Sequence, residues 1–212
     1  MKAHLFALLL VCTSGAAEER RIEVGRFAQR DLSGWQTETF AGETRYELES
    51  TGDGFVLRAD SQGTASGRVR RITIDLEQTP YLHWSWRVGN IFRGNDERSR
   101  RGDDYPARLY VIFSGGVRFW RTRAINYVWS SHLPVGTSWP NAFTRQAHML
   151  AVDSGQAELN QWVSHRRDVR ADYRRLFGEE ATTIDAVAIM SDSDNTGQHA
   201  TAWYGDIWFS TQ

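Results

Sequence analysis

From Tyr81 to Val88 the chain alternates strictly, with Leu82, Trp84, Trp86 and Val88 on one face and His83, Ser85 and Arg87 on the other. Period two marks a strand with one face buried and one wet. Arg108 to Ser114 is apolar on both faces and reads as a central strand. Val117 to Arg121 follows it across Gly115-Gly116, a two-residue turn that glycine permits by accepting positive φ, so the two segments predict a hairpin. Further strands are predicted at Ile22 to Ala28, Arg45 to Glu49, Phe55 to Ala59, Val69 to Leu76, Ala124 to Trp129, Ala147 to Val152, Ile184 to Met190 and Ala202 to Phe209. Only Arg166 to Phe177 has helical spacing, through Val169, Tyr173, Leu176 and Phe177, with Gly178 as its stop. Many short strands and one helix predict an all-β fold, an antiparallel β-sandwich of jelly-roll type with one short capping helix. The polar stretch Asn90 to Pro106 is its one long connection, and loops of that length are usually functional or disordered. No internal repeat is visible.

The N-terminus changes the picture of where the chain works. Lys2, the apolar run Leu5 to Val11 and the small residues Gly15-Ala16-Ala17 have the order of a signal peptide over residues 1–17. The expectation is an exported protein, periplasmic or secreted, with a single β-sandwich domain over residues 18–212. The apolar run is far shorter than the roughly 20 residues that span a bilayer, and no later segment resembles one. Cys12 lies in the leader without the small preceding residue of a lipid-modified cysteine. The remaining chain holds neither cysteine nor lysine, which excludes both as nucleophiles and removes any need for a disulfide.

With 25 basic and 26 acidic side chains, the chain has no overall footprint for nucleic acid. Its arginines cluster at Arg68 to Arg71, Arg98 to Arg101 and Arg118 to Arg123. Solvated strand faces account for them; a surface for acidic polymers is the sharper alternative.

Two acidic turns carry candidate chemistry. Asp192-Ser193-Asp194-Asn195-Thr196-Gly197 reproduces the first half of a calcium loop, but Trp203 stands where the bidentate glutamate belongs. A metal site at Asp192, Asp194 and Asn195 would therefore need Asp206, or Asp103 and Asp104 from the turn at Gly102. Calcium is the one cofactor this pattern suggests; the plainer reading is an Asx turn between strands. Of nine tryptophans, Trp84 and Trp86 belong to a core face, whereas Trp129, Trp139 and Trp203 fall near turns, where rings can stack on sugars. With Tyr127, His132 and Arg108 they make the expected ligand-binding set, although large rings also close ordinary cores.

No catalytic set is complete. Ser130-Ser131-His132 places serine beside histidine in sequence, yet neighbouring strand residues point to opposite faces. The histidines lack zinc spacing. Carboxylate pairs for glycoside hydrolysis could come from Asp103, Asp104, Asp192, Asp194 and Asp206, and a lyase could use Tyr105 with Arg108 or Tyr127 with His132.

Several runs together resemble a bacterial exported family, domain of unknown function number 3047: Pro80 to Val88, Gly102 to Arg108, Asn126 to Trp129, Asp172 to Gly178 and Asp192 to Thr196. The resemblance spans nearly all of the chain after the leader but implies no activity or site residues. The resulting expectation is a glycan- or polysaccharide-binding sandwich, assisted by calcium at the acidic turns. A glycan lyase or hydrolase is one alternative; an envelope interaction protein whose acidic turns are merely structural is the other.

Overall fold

A computed structural model of the chain describes residues 20–113 and 122–212. Residues 1–17, Cys12 and the Gly115-Gly116 turn with Val117 to Arg121 lie outside the described residues. In chain order the first elements are β1 (Arg21–Gly25), a 3₁₀ turn (Phe27–Gln29), β2 (Trp35–Ala41), β3 (Arg45–Thr51), β4 (Gly54–Gln62), β5 (Ala65–Asp75) and β6 (Tyr81–Val88). The middle holds β7 (Arg108–Phe113), β8 (Arg123–Ser130), β9 (Ser138–Pro140) and β10 (Ala147–Ser154). β11 (Val163–Asp168), α1 (Val169–Phe177), β12 (Thr183–Asp192), β13 (His199–Tyr204) and β14 (Ile207–Ser210) complete the chain.

The described strands form two sheets of seven. In the first, β6 is central: β11 pairs along one edge, while β13 and β14 pair along the other, through Tyr204 opposite Trp86 and Trp208 opposite His83. β13 leads on to β4 and β3, and β14 to β1. The second sheet has the order β2-β5-β12-β7-β8-β10-β9. All its pairs are antiparallel except β8 with β10, which is parallel. The expected sandwich is therefore present, with one parallel pair.

Alternation explains how the sheets pack. Leu82, Trp84, Trp86 and Val88 of β6 point inward and meet Leu109, Val111, Ile125, Tyr127 and Trp129 of the second sheet in one core. Trp84 lies against Tyr127 at 5.2 Å between ring centroids, and Trp86 meets Trp129 and Tyr204 at 6.5 Å each. Contacts of this kind, between large buried rings, dominate core energetics.

Parts of the element pattern differ from the expectation. The run Ala202 to Phe209 is two strands, because the chain turns at Gly205, whose N–H donates to Ser85 O. The helix begins at Val169 rather than Arg166, since Arg166 to Asp168 still pair with β6; Asp168 caps the helix by accepting from Ala171 N–H. Its end is as expected, with Gly178 in the left-handed region at φ 70°. β2, β9 and β11 were not expected at all.

The stretch from Asn90 to Pro106 is an ordered strap without regular secondary structure. Glu97 pins it, accepting from Ser130 Oγ and Ser131 N–H at the end of β8. Tyr105 Oη and Trp139 Nε1 both donate to the Glu97 carbonyl. The strap thereby covers the outer face of the second sheet over a small second core of Tyr105, Val128, Trp139, Met149 and Ala151. Among the described residues, no helix is long and apolar enough to cross a membrane.

Candidate functional site

The register of two neighbouring strands builds the site. Arg108 opens β7 opposite Met190 of β12, and Asp192 lies two residues beyond Met190. With a side-chain period of two, Asp192, Met190, Arg108 and Tyr110 all emerge on the outer face of the second sheet. The buried Arg108 Nε donates to Asp192 Oδ1 at 2.8 Å, and Nη2 donates to both Asp192 Oδ2 and the Asp103 carbonyl. Nη1 donates to Tyr110 Oη at 3.3 Å and lies 3.6 Å from Asp103 Oδ2. The guanidinium carbon sits 4.3 Å from the centroid of the Tyr105 ring. Four hydrogen bonds thus hold this buried cation in place.

The two acidic turns meet here. Asp192 Oδ1 also accepts from Tyr105 N–H, tying the strap to β12. Asp104 accepts from Asn195 N–H and Nδ2 at 3.2 and 3.3 Å and from Thr196 N–H at 2.6 Å, holding the Asp192 to Gly197 turn against the strap. One oxygen from each of Asp104, Asp192 and Asp194 lies within 4.8 Å of the others, a grouping that could hold a metal ion. Burial pushes the Asp192 carboxyl up to about 8; Arg108 opposes the rise, while Asp104 and Asp103 add to it. Asp194 is raised too, first by burial and then by Asp104.

Beside these groups a cleft of about 470 Å³ runs across the sheet, within the usual size of ligand sites. Its walls come from Phe40 and Ala41 of β2 on one side and Asn141, Phe143 and Thr144 on the other. Tyr110, Asn126 and Met190 lie between, with Asp103, Asp192 and Asp194 at the acidic end. From β2 to β10 it crosses five strand spacings of about 4.8 Å, a span of roughly 24 Å. Phe40 and Phe143 are 69% and 53% exposed. Two buried acceptors among its lining, Asp103 Oδ1 and Asn126 Oδ1, have no hydrogen-bond partner among the described residues.

The residues expected from the sequence divide sharply. Asp103, Asp104, Asp192, Asp194, Asn195 and Arg108 converge. Asp206 does not: it lies at the opposite end of β13 from the acidic turn and accepts from Ala28 N–H at 2.9 Å. Tyr127 and Trp129 cannot offer a ring to a sugar, because both point into the closed core between the sheets, where Tyr127 Oη donates to Asp172. Trp139 is buried beneath the strap with Tyr105. Trp203 lies on the outer face of the other sheet, with Arg87 4.0 Å over its ring and Nε1 donating to Glu49. His132 is exposed, and its Nε2 meets Asn95 Oδ1 rather than the cleft.

The lyase pairs do not assemble either. The Tyr105 hydroxyl is turned away from Arg108 toward the Glu97 carbonyl, and burial drives its pKa far above the ordinary tyrosine value. Tyr127 and His132 occupy the core and the surface respectively. Phe40, Tyr110, Asn141 and Phe143 were missed. A signal existed for Phe40 and Phe143, lone large rings in polar segments.

No curated protein matches the chain in sequence. Among solved structures it is similar to the family 30 carbohydrate-binding module of a cellulosomal cellulase of Clostridium thermocellum, with a TM-score of 0.52 and 9% identity over 91% of this chain and 98% of that one. It also matches the family 11 carbohydrate-binding module of another cellulosomal cellulase of that organism, at a TM-score of 0.47 and 10% identity over 92% and 95% of the two chains. At these identities the likeness concerns the fold alone. The sequence itself is more specific: the model of the family described as protein of unknown function DUF3047 matches residues 33–208, and the chain belongs to that family.

Proposed function

We propose that this protein binds a glycan chain in the cleft across its second sheet. The observation that carries the proposal is the lining: two exposed phenylalanine rings border the cleft, and its lining holds buried acceptors without donors. A sugar offers both complements, since its C–H faces suit an aromatic surface and its hydroxyls can donate to Asp103 Oδ1 and Asn126 Oδ1. The span of roughly 24 Å suits an extended chain better than a single ring. The fold likeness to a carbohydrate-binding module supports the same reading at the level of architecture. Export, taken from the leader pattern of residues 1–17, would bring the protein to extracellular or envelope glycans.

Calcium at Asp104, Asp192 and Asp194 is a second reading, favoured by their convergence and their oxygen-only chemistry. Such an ion would sit at the acidic end of the cleft and could meet the hydroxyls of a bound sugar. Thermal melts of the chelated protein with a panel of polysaccharides, with and without calcium, test both. A ligand of the folded state raises the melting temperature by mass action. A shift with a polysaccharide supports binding, and no shift across the panel overturns it.

A further inference from the structure

We infer that the cleft selects a glycan bearing free amines, with an ammonium group seated at its acidic end. The inference rests on the glycan reading above and adds the chemical class of ligand. Asp103, Asp192 and Asp194 line that end, and Asp104 stands beside them. Arg108 is the one basic residue among the described lining, and its donors are already engaged by Asp192, the Asp103 carbonyl and Tyr110. Four carboxyl groups thus share one guanidinium.

The unpartnered oxygen identifies what is missing. The Asp103 side chain is only 5% exposed, and its Oδ1 has no donor, although Oδ2 accepts from Asn141 Nδ2 at 3.0 Å. Leaving such an atom buried and unpaired is costly, and a charged N–H donor is its strongest remedy. Asn126, 1% exposed, presents a second unpaired oxygen in the same cleft.

Donor and acceptor numbers separate an ammonium from a metal. Calcium takes six to eight oxygens. Here the Asp104 oxygens already accept three N–H groups, and those of Asp192 accept from Arg108 and Tyr105. An ammonium has three donors and needs three acceptors, and both Asp103 and Asp194 line this end of the cleft. A uronate or sulfate would instead bring a like charge to the carboxyl cluster.

Isothermal titration with oligosaccharides of matched length tests this. The set is an unacetylated glucosamine oligomer, its fully N-acetylated counterpart, a glucose oligomer and a galacturonate oligomer. The expected order places the free amine about tenfold or more above the N-acetylated chain, as one charged hydrogen bond implies, with the uronate weakest. Asp103→Asn should erase most of that preference, bringing the ratio of amine to N-acetylated affinity close to one. Asp194→Asn, in a half-exposed turn, gives the same readout should Asp103→Asn fail to fold. Equal binding of amine and neutral chains overturns the inference and leaves the glycan reading standing; no binding by any member overturns both. Tight calcium binding that displaces the amine oligomer also overturns it, because the cluster would then be a metal site.

Discussion

Replacing Arg108 with methionine removes a buried cation and keeps most of its apolar volume. Four hydrogen bonds vanish, those to the two oxygens of Asp192, to the Asp103 carbonyl and to Tyr110 Oη, together with the stacking on Tyr105. The Asp192 carboxyl that remains has two poor options. Charged, it sits unpaired in a buried place; neutral, it must hold a proton at a cost of about 1.4 kcal/mol for each unit by which the pH exceeds its new pKa. Removing one partner of a buried pair typically costs about 3–5 kcal/mol, and the unfulfilled Asp103 carbonyl adds to the loss. For a chain of this size that is a fall in melting temperature of roughly 6–20 °C. The assay is chemical denaturation above pH 8, where the wild-type Asp192 is ionised. The double variant Arg108→Met, Asp192→Asn supplies the decisive comparison. With no charge left to strand, it should recover about 2 kcal/mol relative to the sum of the single changes. A loss below about 1 kcal/mol for Arg108→Met, or strictly additive single changes, would refute the account of this pair.

Three further outcomes follow from the same geometry. Gly102→Ala should destabilise the protein by about 2 kcal/mol in denaturant melts, because the added Cβ would lie 2.4 Å from the Asp96 carbonyl oxygen, a backbone atom that cannot swing away; a neutral effect would mean that the strap is looser than it looks. Trp129→Ala should cost about 3–5 kcal/mol of stability yet leave glycan affinity of the folded protein within about twofold, whereas a stacking platform would lose affinity first. The Asp192 carboxyl, ordinarily near about 3.9, holds its proton up to about 8 in the folded state. Its contribution to stability is thus full below about pH 4, falls as pH rises toward 8 and levels off above it. The stability difference between wild type and Asp192→Asn should follow that slope; parallel profiles would exclude it.

The strands legible in the sequence were those with a strong inward face. β6 and β7 carry large apolar side chains at every second position, so burial and pattern coincide. β2 and β11 escaped notice because they face water over most of their length: Gln36 to Phe40 are all exposed, and Ser164 to Asp168 are polar. Their pairing is set by backbone hydrogen bonds to β5 and β6, which leave no hydrophobic signature. The helix start was misplaced for a related reason, since Arg166 to Asp168 satisfy a helical pattern and an edge strand alike.

For the site, local chemistry could be read but not its assembly. Both acidic turns were visible as Gly-Asp-Asp and Asp-x-Asp-Asn, and their meeting depends on a strap whose anchor, Glu97, is an ordinary glutamate in a polar run. The tryptophans misled because ring size signals burial as strongly as it signals sugar stacking. Trp129 ends its strand facing the core, while the exposed rings beside the cleft are phenylalanines. Asp206 shows the same limit: it follows the acidic turn by only nine residues from Gly197, but the strand between them carries it to the far end of the sheet.

The most direct test is titration of oligosaccharides into wild-type protein and into the double variant Phe40→Ala, Phe143→Ala. Both rings are largely in solvent, so their removal should leave the melting temperature within about 2 °C of wild type. Wild type should bind saturably, and the variant should lose at least about tenfold in affinity. Binding of equal strength in both, or none in either, would contradict the cleft as the glycan site.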